Sequence, residues 1–495
     1  MPRHPLDSLF APRSIAVVGG SDRPGSIGQL VLDNVRSGGF TGQLYVVNSA
    51  HERVQELRSY HNARDLPQAP DLALIAVPAL QVASVLEDCG VRGVRAAIVL
   101  SVGFGERGPE GAELQAELRR VARRYGIRLL GPNCIGFVRP SAHTHTLLGR
   151  GSVRSGRLAL VSQSGAVCTA ILDWAYAQGV GFSLAASVGN AVDVEFGDVL
   201  DYLALDYETS AILVYTEGVG RVRRFLSGLR AAARIKPVVV LKAGRGHETN
   251  SAAATHTGFL LGSDAVFDSA LRRAGAVRAN TLPQLFAAAE LLSERRRTAG
   301  DRLAIVTNAG GVGVLAADHC PAQGLSLATL SPDTWQTLDE LLPSYASGVR
   351  ENPINLFGDA TPERYGAAVA ALVHDPHVDG VIALVAPLAG TRPLEIAQAL
   401  TDVSAKTYKP VLASFVGGTQ VVEARHFLHD SPLPELPGPE AAVEAFGYLA
   451  SFEHSQRMLL EVPGPLADRA LPDCVGARAI IDAALREGRS MLSLP

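Results

Sequence analysis

Cysteine is scarce in this 495-residue chain: the five are Cys89, Cys134, Cys168, Cys320 and Cys474. Their number is odd and no CxxC pair occurs, so neither a disulfide framework nor a zinc knuckle is expected. Charge is also thin. With 19% charged and 47% hydrophobic residues the chain can bury several cores, which excludes disorder. Lys+Arg 45 against Asp+Glu 49 leaves a net charge of −4. That excludes a polyanion-binding surface as the main purpose, and no nucleic-acid partner is expected. No apolar run reaches the ~18–20 residues of a membrane span. The start, Met1-Pro-Arg-His-Pro5, lacks the apolar centre of a signal peptide. The expectation is a soluble, cytoplasmic chain without membrane contact.

What is present is an alternation, repeated from residue 13 to about 450, of short β-branched runs and longer stretches of helical period. Ser14–Gly19, Gln43–Asn48, Asp71–Pro78 and Ala96–Ser101 are nearly all apolar, as strands covered on both faces must be. This rhythm predicts a parallel, doubly wound α/β domain ending near Pro140. A second series follows at Arg157–Ser162, Ser183–Val188, Ala211–Tyr215 and Pro237–Lys242. A third, at Leu303–Thr307, Gly380–Val385 and Pro410–Phe415, begins after the charged run Glu294-Arg-Arg-Arg297, read as a solvated linker. Asp430–Pro439 is Pro-rich and reads as extended loop, and Ala477–Gly488 as a short amphipathic helix. The expected domains are 1–140, 150–290 and 300–460, with 470–495 as a connector.

Several segments can carry chemistry. The first strand runs into Gly19-Gly20-Ser21-Asp22-Arg23-Pro24-Gly25-Ser26-Ile27-Gly28 and then a helix. Glycines there let backbone approach a phosphate at a helix N-terminus, or merely let strand and helix pack tightly. The second strand ends in Asn48-Ser49-Ala50 without the ribose-gripping carboxylate of an NAD site, so another nucleotide is favoured. Gly131-Pro-Asn-Cys-Ile-Gly136 reads as a chain reversal. Cys134 has no neighbouring base or cation to activate it as a nucleophile. Ser162-Gln-Ser164-Gly165 lies where a strand should end and a helix begin, which is either an anion site or an ordinary Ser N-cap. His256 stands among small residues in Ala252–Gly258, placed to be accessible and nucleophilic. Glu217, at a strand's carboxyl end, can hydrogen-bond an imidazole or simply be solvated. His143 and His145 have the alternation of metal ligands but no third ligand, so no metal is expected.

These pieces, in this order, resemble the ADP-forming acyl-CoA synthetases, relatives of the succinyl-CoA synthetase alpha subunit, over about residues 7 to 490. The motifs carrying the resemblance are Leu130–Gly136, Leu160–Gly165, Ser187-Val-Gly-Asn190, Thr255–Gly258 with Gly262-Ser-Asp264, and Asn308–Gly313. The resemblance implies a Rossmann-like CoA-binding domain followed by two flavodoxin-like domains of succinyl-CoA-synthetase type. It places coenzyme A against Gly19, Gly20, Ser21, Gly25, Ile27, Gly28, Asn48, Val77, Pro78, Asn133 and Cys134. It gives phosphate to Ser164 and Gly165, transient phosphorylation to His256, and support of that histidine to Glu217. Acyl-CoA or a small carboxylic acid, and phosphate, are the implied substrates, and an oligomer is expected. ATP or ADP with Mg is expected only through an ATP-grasp partner or domain, for which no sequence follows here.

The family often has Asn-Pro-Lys after the second strand, where this chain has Asn48-Ser49-Ala50. A rival of another class is the N-terminal module of Pat-type protein lysine acetyltransferases, a CoA-binding regulatory unit. Ala170–Ala175 and Arg224–Arg230 have its flavour, whereas retention of His256 and Glu217 favours the synthetase. A plain NAD-dependent dehydrogenase is disfavoured by Asn48 and by the lack of a proton relay.

Overall fold

The apolar runs form the central strands of three α/β layers in the computed structural model. It describes residues 4–149, 151–245, 263–293, 297–343, 350–461, 473–489 and 491–492. The first sheet holds β1 (Ser14–Val18), β2 (Gln43–Val47), β3 (Arg53–Val54), β4 (Leu57–Tyr60), β5 (Leu72–Ile75), β6 (Ala96–Val99) and β7 (Arg128–Leu130). Its order is β3-β4-β2-β1-β5-β6-β7, parallel except for the short β3–β4 edge hairpin. Helices α1 (Asp7–Phe10), α2 (Ile27–Ser37), α3 (Ala79–Arg92) and α4 (Pro109–Tyr125) accompany it. β5 and β6 are buried along their whole length, which explains their unbroken apolar reading.

The chain then changes sheet sooner than the sequence suggests. β8 (Phe137–Arg139) and β9 (Thr144–His145) form a hairpin on the edge of the second sheet, where β8 pairs antiparallel with β11 (Phe182–Ser187). The second sheet also contains β10 (Ser155–Ser162), β12 (Ala211–Thr216), β13 (Val238–Lys242) and β14 (Val277–Ala279), in the order β14-β13-β12-β10-β11-β8-β9. Helices α5 (Gly165–Ala177), α6 (Phe196–Leu205) and α7 (Val222–Ala233) follow its strands. The third sheet comprises β15 (Arg302–Thr307), β16 (Ser326–Leu327), β17 (Ile354–Asn355), β18 (Gly380–Val385) and β19 (Val411–Phe415).

The layers share their cores. Val17, Leu74 and Ile98 of the first sheet join Val161, Leu184 and Val214 of the second in one buried cluster. The opposite face of the second sheet, with Leu213 and Val239, shares a cluster with Ile305 and Leu384 of the third and Phe446 of the helix Pro439–Leu460. Residues up to Leu459 accordingly form one compact unit. Arg297, read as part of a solvated linker, lies over the Phe452 ring at 4.7 Å and pairs with Glu453 at 3.5 Å. The residues beyond Leu459 form a second unit, whose helix Cys474–Arg486 is capped by Asp473 and exposes Val475, Ile480 and Leu485. No described helix is long and apolar enough to cross a membrane.

Arg139 on β8 fastens the hairpin to α6. Its guanidinium donates to Tyr202 Oη (2.7 Å), Asp206 Oδ1 (2.8 Å) and Glu208 Oε2 (3.0 Å), with Arg139 and Asp206 both buried. Removing one member of such a cluster leaves a buried charge uncompensated, at a cost of about 3–5 kcal/mol. Arg139→Met is therefore expected to lower the unfolding free energy measured by urea titration by that amount, and the midpoint with it. Tyr202→Phe, which removes one neutral partner, should cost only about 1 kcal/mol. Equal midpoints for the two variants would show that the ion cluster does not hold the hairpin.

Candidate active site

At the carboxyl end of the first sheet, β1 stops at Gly19, whose φ of 88° suits glycine. Helix α2 starts so close by that a Cβ on Gly28 would lie 1.9 Å from the Gly19 carbonyl oxygen. The Ser26 hydroxyl caps α2 by accepting from Gln29 N, while the Ser21 hydroxyl accepts from Arg23 N and Gln29 Oε1 from Gly25 N. Tight packing and an accessible helix mouth thus coexist in the 19–28 turn. A cavity of about 440 Å³ opens beside it, lined by Gly19, Asn48, His61, Val77 and Asp88 among others. Asn48 is committed to local order: Nδ2 donates to Gly20 O (2.8 Å) and Oδ1 accepts from Ala50 N (2.8 Å) and His51 N (3.1 Å). Of the residues singled out from sequence, Gly19, Asn48 and Val77 line the cavity. Gly20, Ser21, Gly25, Ile27 and Gly28 form the adjoining turn, and Pro78 immediately precedes α3.

The segment after β7 leads from this cavity to the second sheet. Asn133 takes a left-handed conformation (φ 55°), which asparagine tolerates, and its N–H donates to Ser101 O at 3.0 Å. The Ser101 hydroxyl in turn donates to Val77 O. Cys134 points into the core, its thiol donating to Val99 O (3.4 Å), and burial pushes that thiol up to about 12. It is no thiolate nucleophile. Ile135 packs against the start of α5 so closely that a Cβ on Gly165 would come within 2.6 Å of Ile135 Cγ2.

At that mouth Ser164 is the N-cap, its hydroxyl accepting from Val167 N at 3.3 Å. The first-turn N–H groups have no partner within the helix and face its positive end, so an anion there would be held by backbone rather than by the Ser164 side chain. Gln163, within the quoted motif but not singled out, organises the neighbouring loop. Its Oε1 accepts from Glu217 N (2.8 Å), Gly218 N (3.1 Å) and Thr216 Oγ1 (3.2 Å). Glu217 is buried at the end of β12, beside the Gln163–Gly165 turn, and is not a solvated loop residue. Burial, and then the Glu217 charge, raise the Tyr215 phenol.

His256 lies outside the described residues. Lys242, at the end of β13, donates to Ala243 O and Gly244 O and stands 3.6 Å from Asp264, while burial lowers its ammonium below the usual lysine range. Arg278 Nη2 donates to both oxygens of the same carboxylate (2.7 and 2.8 Å). Residues 242–245 and 263–268 are thereby tied together. In the third sheet, the Asn308 amide pairs with both N–H and C=O of Ala386, so that motif braces β15 against the end of β18. Among the described residues no three His, Cys, Asp or Glu side chains are grouped to hold a metal.

Sequence reasoning also missed Ser101 and Glu106, which sit in no motif, and the role of Asn190. Asn190 Nδ2 donates to Glu106 Oε2 (2.7 Å) and Gln115 Oε1 (3.0 Å), and its Oδ1 accepts from Asn133 Nδ2 (3.3 Å). Burial alone would raise the Glu106 carboxyl. Hydrogen bonds from Asn190, Gly103 and Phe104 outweigh it and the net shift is downward.

Three family profiles match in sequence order: a CoA binding domain over residues 13–140, a succinyl-CoA ligase like flavodoxin domain over 155–292 and a ligase-CoA domain over 303–450. The chain is 38% identical over 447 residues to an acetate–CoA ligase [ADP-forming] I of Archaeoglobus fulgidus, covering 90% of this chain and 64% of the relative. It is 36% identical over 456 residues to the alpha subunit of an acetate–CoA ligase [ADP-forming] I of Pyrococcus furiosus, covering 90% and 97%. It thus spans under two thirds of the first relative and almost all of the second. A solved dinucleotide forming acetyl-coenzyme A synthetase 1 of Ca. Korarchaeum cryptofilum, in complex with phosphate and ADP, superposes with a TM-score of 0.85 at 35% identity, covering 92% of this chain and 99% of that one.

The burial pattern sets the thiol chemistry. Cys89, Cys134, Cys168 and Cys320 are buried, whereas Cys474 is exposed. Titration of the native chain with a disulfide reagent at pH 8 is expected to modify Cys474 first, the others reacting only on unfolding. Rapid modification of Cys134 in the folded protein would contradict the buried placement of its side chain.

Proposed function

The chain belongs to the ADP-forming acyl-CoA synthetase family, and from that premise we propose that it interconverts acyl-CoA, phosphate and ADP with a carboxylic acid, coenzyme A and ATP. The observation that carries this reading is the 131–136 turn, which is hydrogen-bonded through Ser101 to Val77 in the lining of the first-sheet cavity and packs Ile135 against the mouth of α5. Coenzyme A occupies the cavity with its pyrophosphate on the 19–28 turn, where glycine backbone and the α2 N-terminus favour an anion. The thioester end reaches across the 131–136 turn towards Ser164 and Gly165.

Phosphate held by the α5 N–H groups attacks the acyl carbonyl carbon, and the coenzyme A thiolate leaves. The product is an acyl phosphate. A ring nitrogen of His256 then attacks phosphorus and the carboxylate departs, leaving a phosphohistidine. Glu217, fixed through its backbone by Gln163, accepts a hydrogen bond from the other ring nitrogen and stabilises the imidazole as it gains positive character. ADP finally takes the phosphoryl group, and every step is reversible. The nucleotide, with Mg, is held by an ATP-grasp subunit or domain, consistent with the near-complete match to an alpha subunit. The acid is a small carboxylic acid, acetate being the one in the names of the two relatives given above, and the working protein is an oligomer.

Two measurements test this. By calorimetry coenzyme A should bind the full chain more tightly than NAD, and the reverse order would refute the nucleotide assignment. Incubation with acetyl-CoA and labelled phosphate should give an acid-labile, base-stable label that is absent in His256→Ala. A label persisting in that variant would place the phosphorylated residue elsewhere. Glu217→Gln should slow labelling by roughly 10²–10⁴-fold, the scale on which groups that orient a catalytic imidazole act.

A further inference from the structure

The hydrogen bonds around Asn190 form a chain across three loops. It begins at Val77, which lines the nucleotide cavity and accepts from the Ser101 hydroxyl. Ser101 O accepts from Asn133 N, Asn133 Nδ2 donates to Asn190 Oδ1, and Asn190 Nδ2 donates to Glu106 and Gln115. Glu106 is held by its own loop, its Oε1 accepting from Gly103 N (2.6 Å) and Phe104 N (3.0 Å). Asn190 is thus the one second-sheet side chain in this series. Its amide nitrogen donates to Glu106 of the 103–107 loop and to Gln115 of α4, and its oxygen accepts from Asn133 of the 131–136 turn. Backbone contacts crowd it further: Gly189 (φ 54°) has no room for a Cβ, which would lie 2.4 Å from both Pro132 O and Asn133 O.

We infer that Asn190 is a positioning residue for the reaction, holding the 131–136 turn between the thioester end of the nucleotide site and the mouth of α5. The inference rests on the function proposed above and goes beyond it. Asn190 touches neither the cavity lining nor the α5 mouth. It sets the distance between them through Asn133, and the Ile135 side chain transmits that setting to Gly165. Displacing the turn should leave coenzyme A binding intact and slow the attack of phosphate, since small errors in the approach of reacting atoms are costly in rate.

The polarity of the bridge supplies the test. Glu106→Gln faces a donor with a donor, and Asn190→Asp faces a carboxylate with a carboxylate. Combining the two restores donor and acceptor in reversed order at the 190–106 contact, and rotation of the Gln115 amide turns its Nε2 to donate to the carboxylate introduced at position 190, in place of the bond it accepts from Asn190. For wild type, both single variants and the double variant, calorimetry gives the coenzyme A affinity, and rapid quench with acetyl-CoA and labelled phosphate gives the labelling rate of the full chain. Each single variant is expected to bind coenzyme A as wild type does and to label about ten- to a hundredfold more slowly. The double variant should recover most of the rate. Single variants that label at the wild-type rate, or that lose rate and affinity together without recovery in the double variant, would overturn the inference while leaving the proposed function standing. A wild-type chain that binds coenzyme A weakly and takes no label would overturn the proposed function and this inference with it.

Discussion

Everything near the site depends on the short run of backbone hydrogen bonds that carries the first sheet into the second. Val194 N donates to Leu129 O, Val192 N to Gly131 O and Asn190 N to Pro132 O, at 2.9–3.1 Å. These extend the pairing of β7 beyond its own sheet and leave the chain pointing at the edge of the next. The 131–136 turn is consequently tied on one side, through Ser101 and Val77, to the nucleotide cavity and on the other, through Ile135, to the α5 mouth. Buried backbone groups must be paired, and here they are paired across the junction, which fixes the junction's geometry.

The same economy of position appears in the polar side chains. Gln163 spends one oxygen on three donors of the 216–218 loop, so Glu217 is located through its backbone. Asn48 and Asn308 likewise bind main chain at strand ends. Exposed ion pairs such as Arg120–Glu117 contribute little beside these. Lys242, Asp264 and Arg278 are more enclosed and secure the two stems from which residues 246–262 depart. Rigid supports of this kind suit chemistry in which two substrates must meet in one orientation.

The third sheet contributes through packing. The helix Pro439–Leu460 lies so close to β18 that a Cβ on Gly380 would come within 2.2 Å of the Phe446 ring, and Gly275 is similarly tight against Leu459. Through the shared cluster this layer backs the strands β10, β12 and β13, whose carboxyl ends carry Ser164, Glu217 and Lys242.

The sequence by itself determined the alternation of strands and helices. Long apolar runs such as Leu72–Ile75 and Gly380–Val385 leave no other stable arrangement than a sheet covered on both faces. It also marked the glycine turn at 19–28, the Ser164 cap and the ordering of Glu217 after β12, because each is a local backbone requirement. Tertiary structure alone decided that Phe137–Arg139 joins the second sheet, since three residues carry no periodicity and their partner β11 lies more than forty residues on. It alone turned Cys134 inward, gave Gln163 its three donors and set Asn190 between Asn133 and Glu106. Those placements depend on loops from distant strands arriving at one edge, and a hydrogen bond between residues 57 or 84 positions apart leaves no trace in either local sequence.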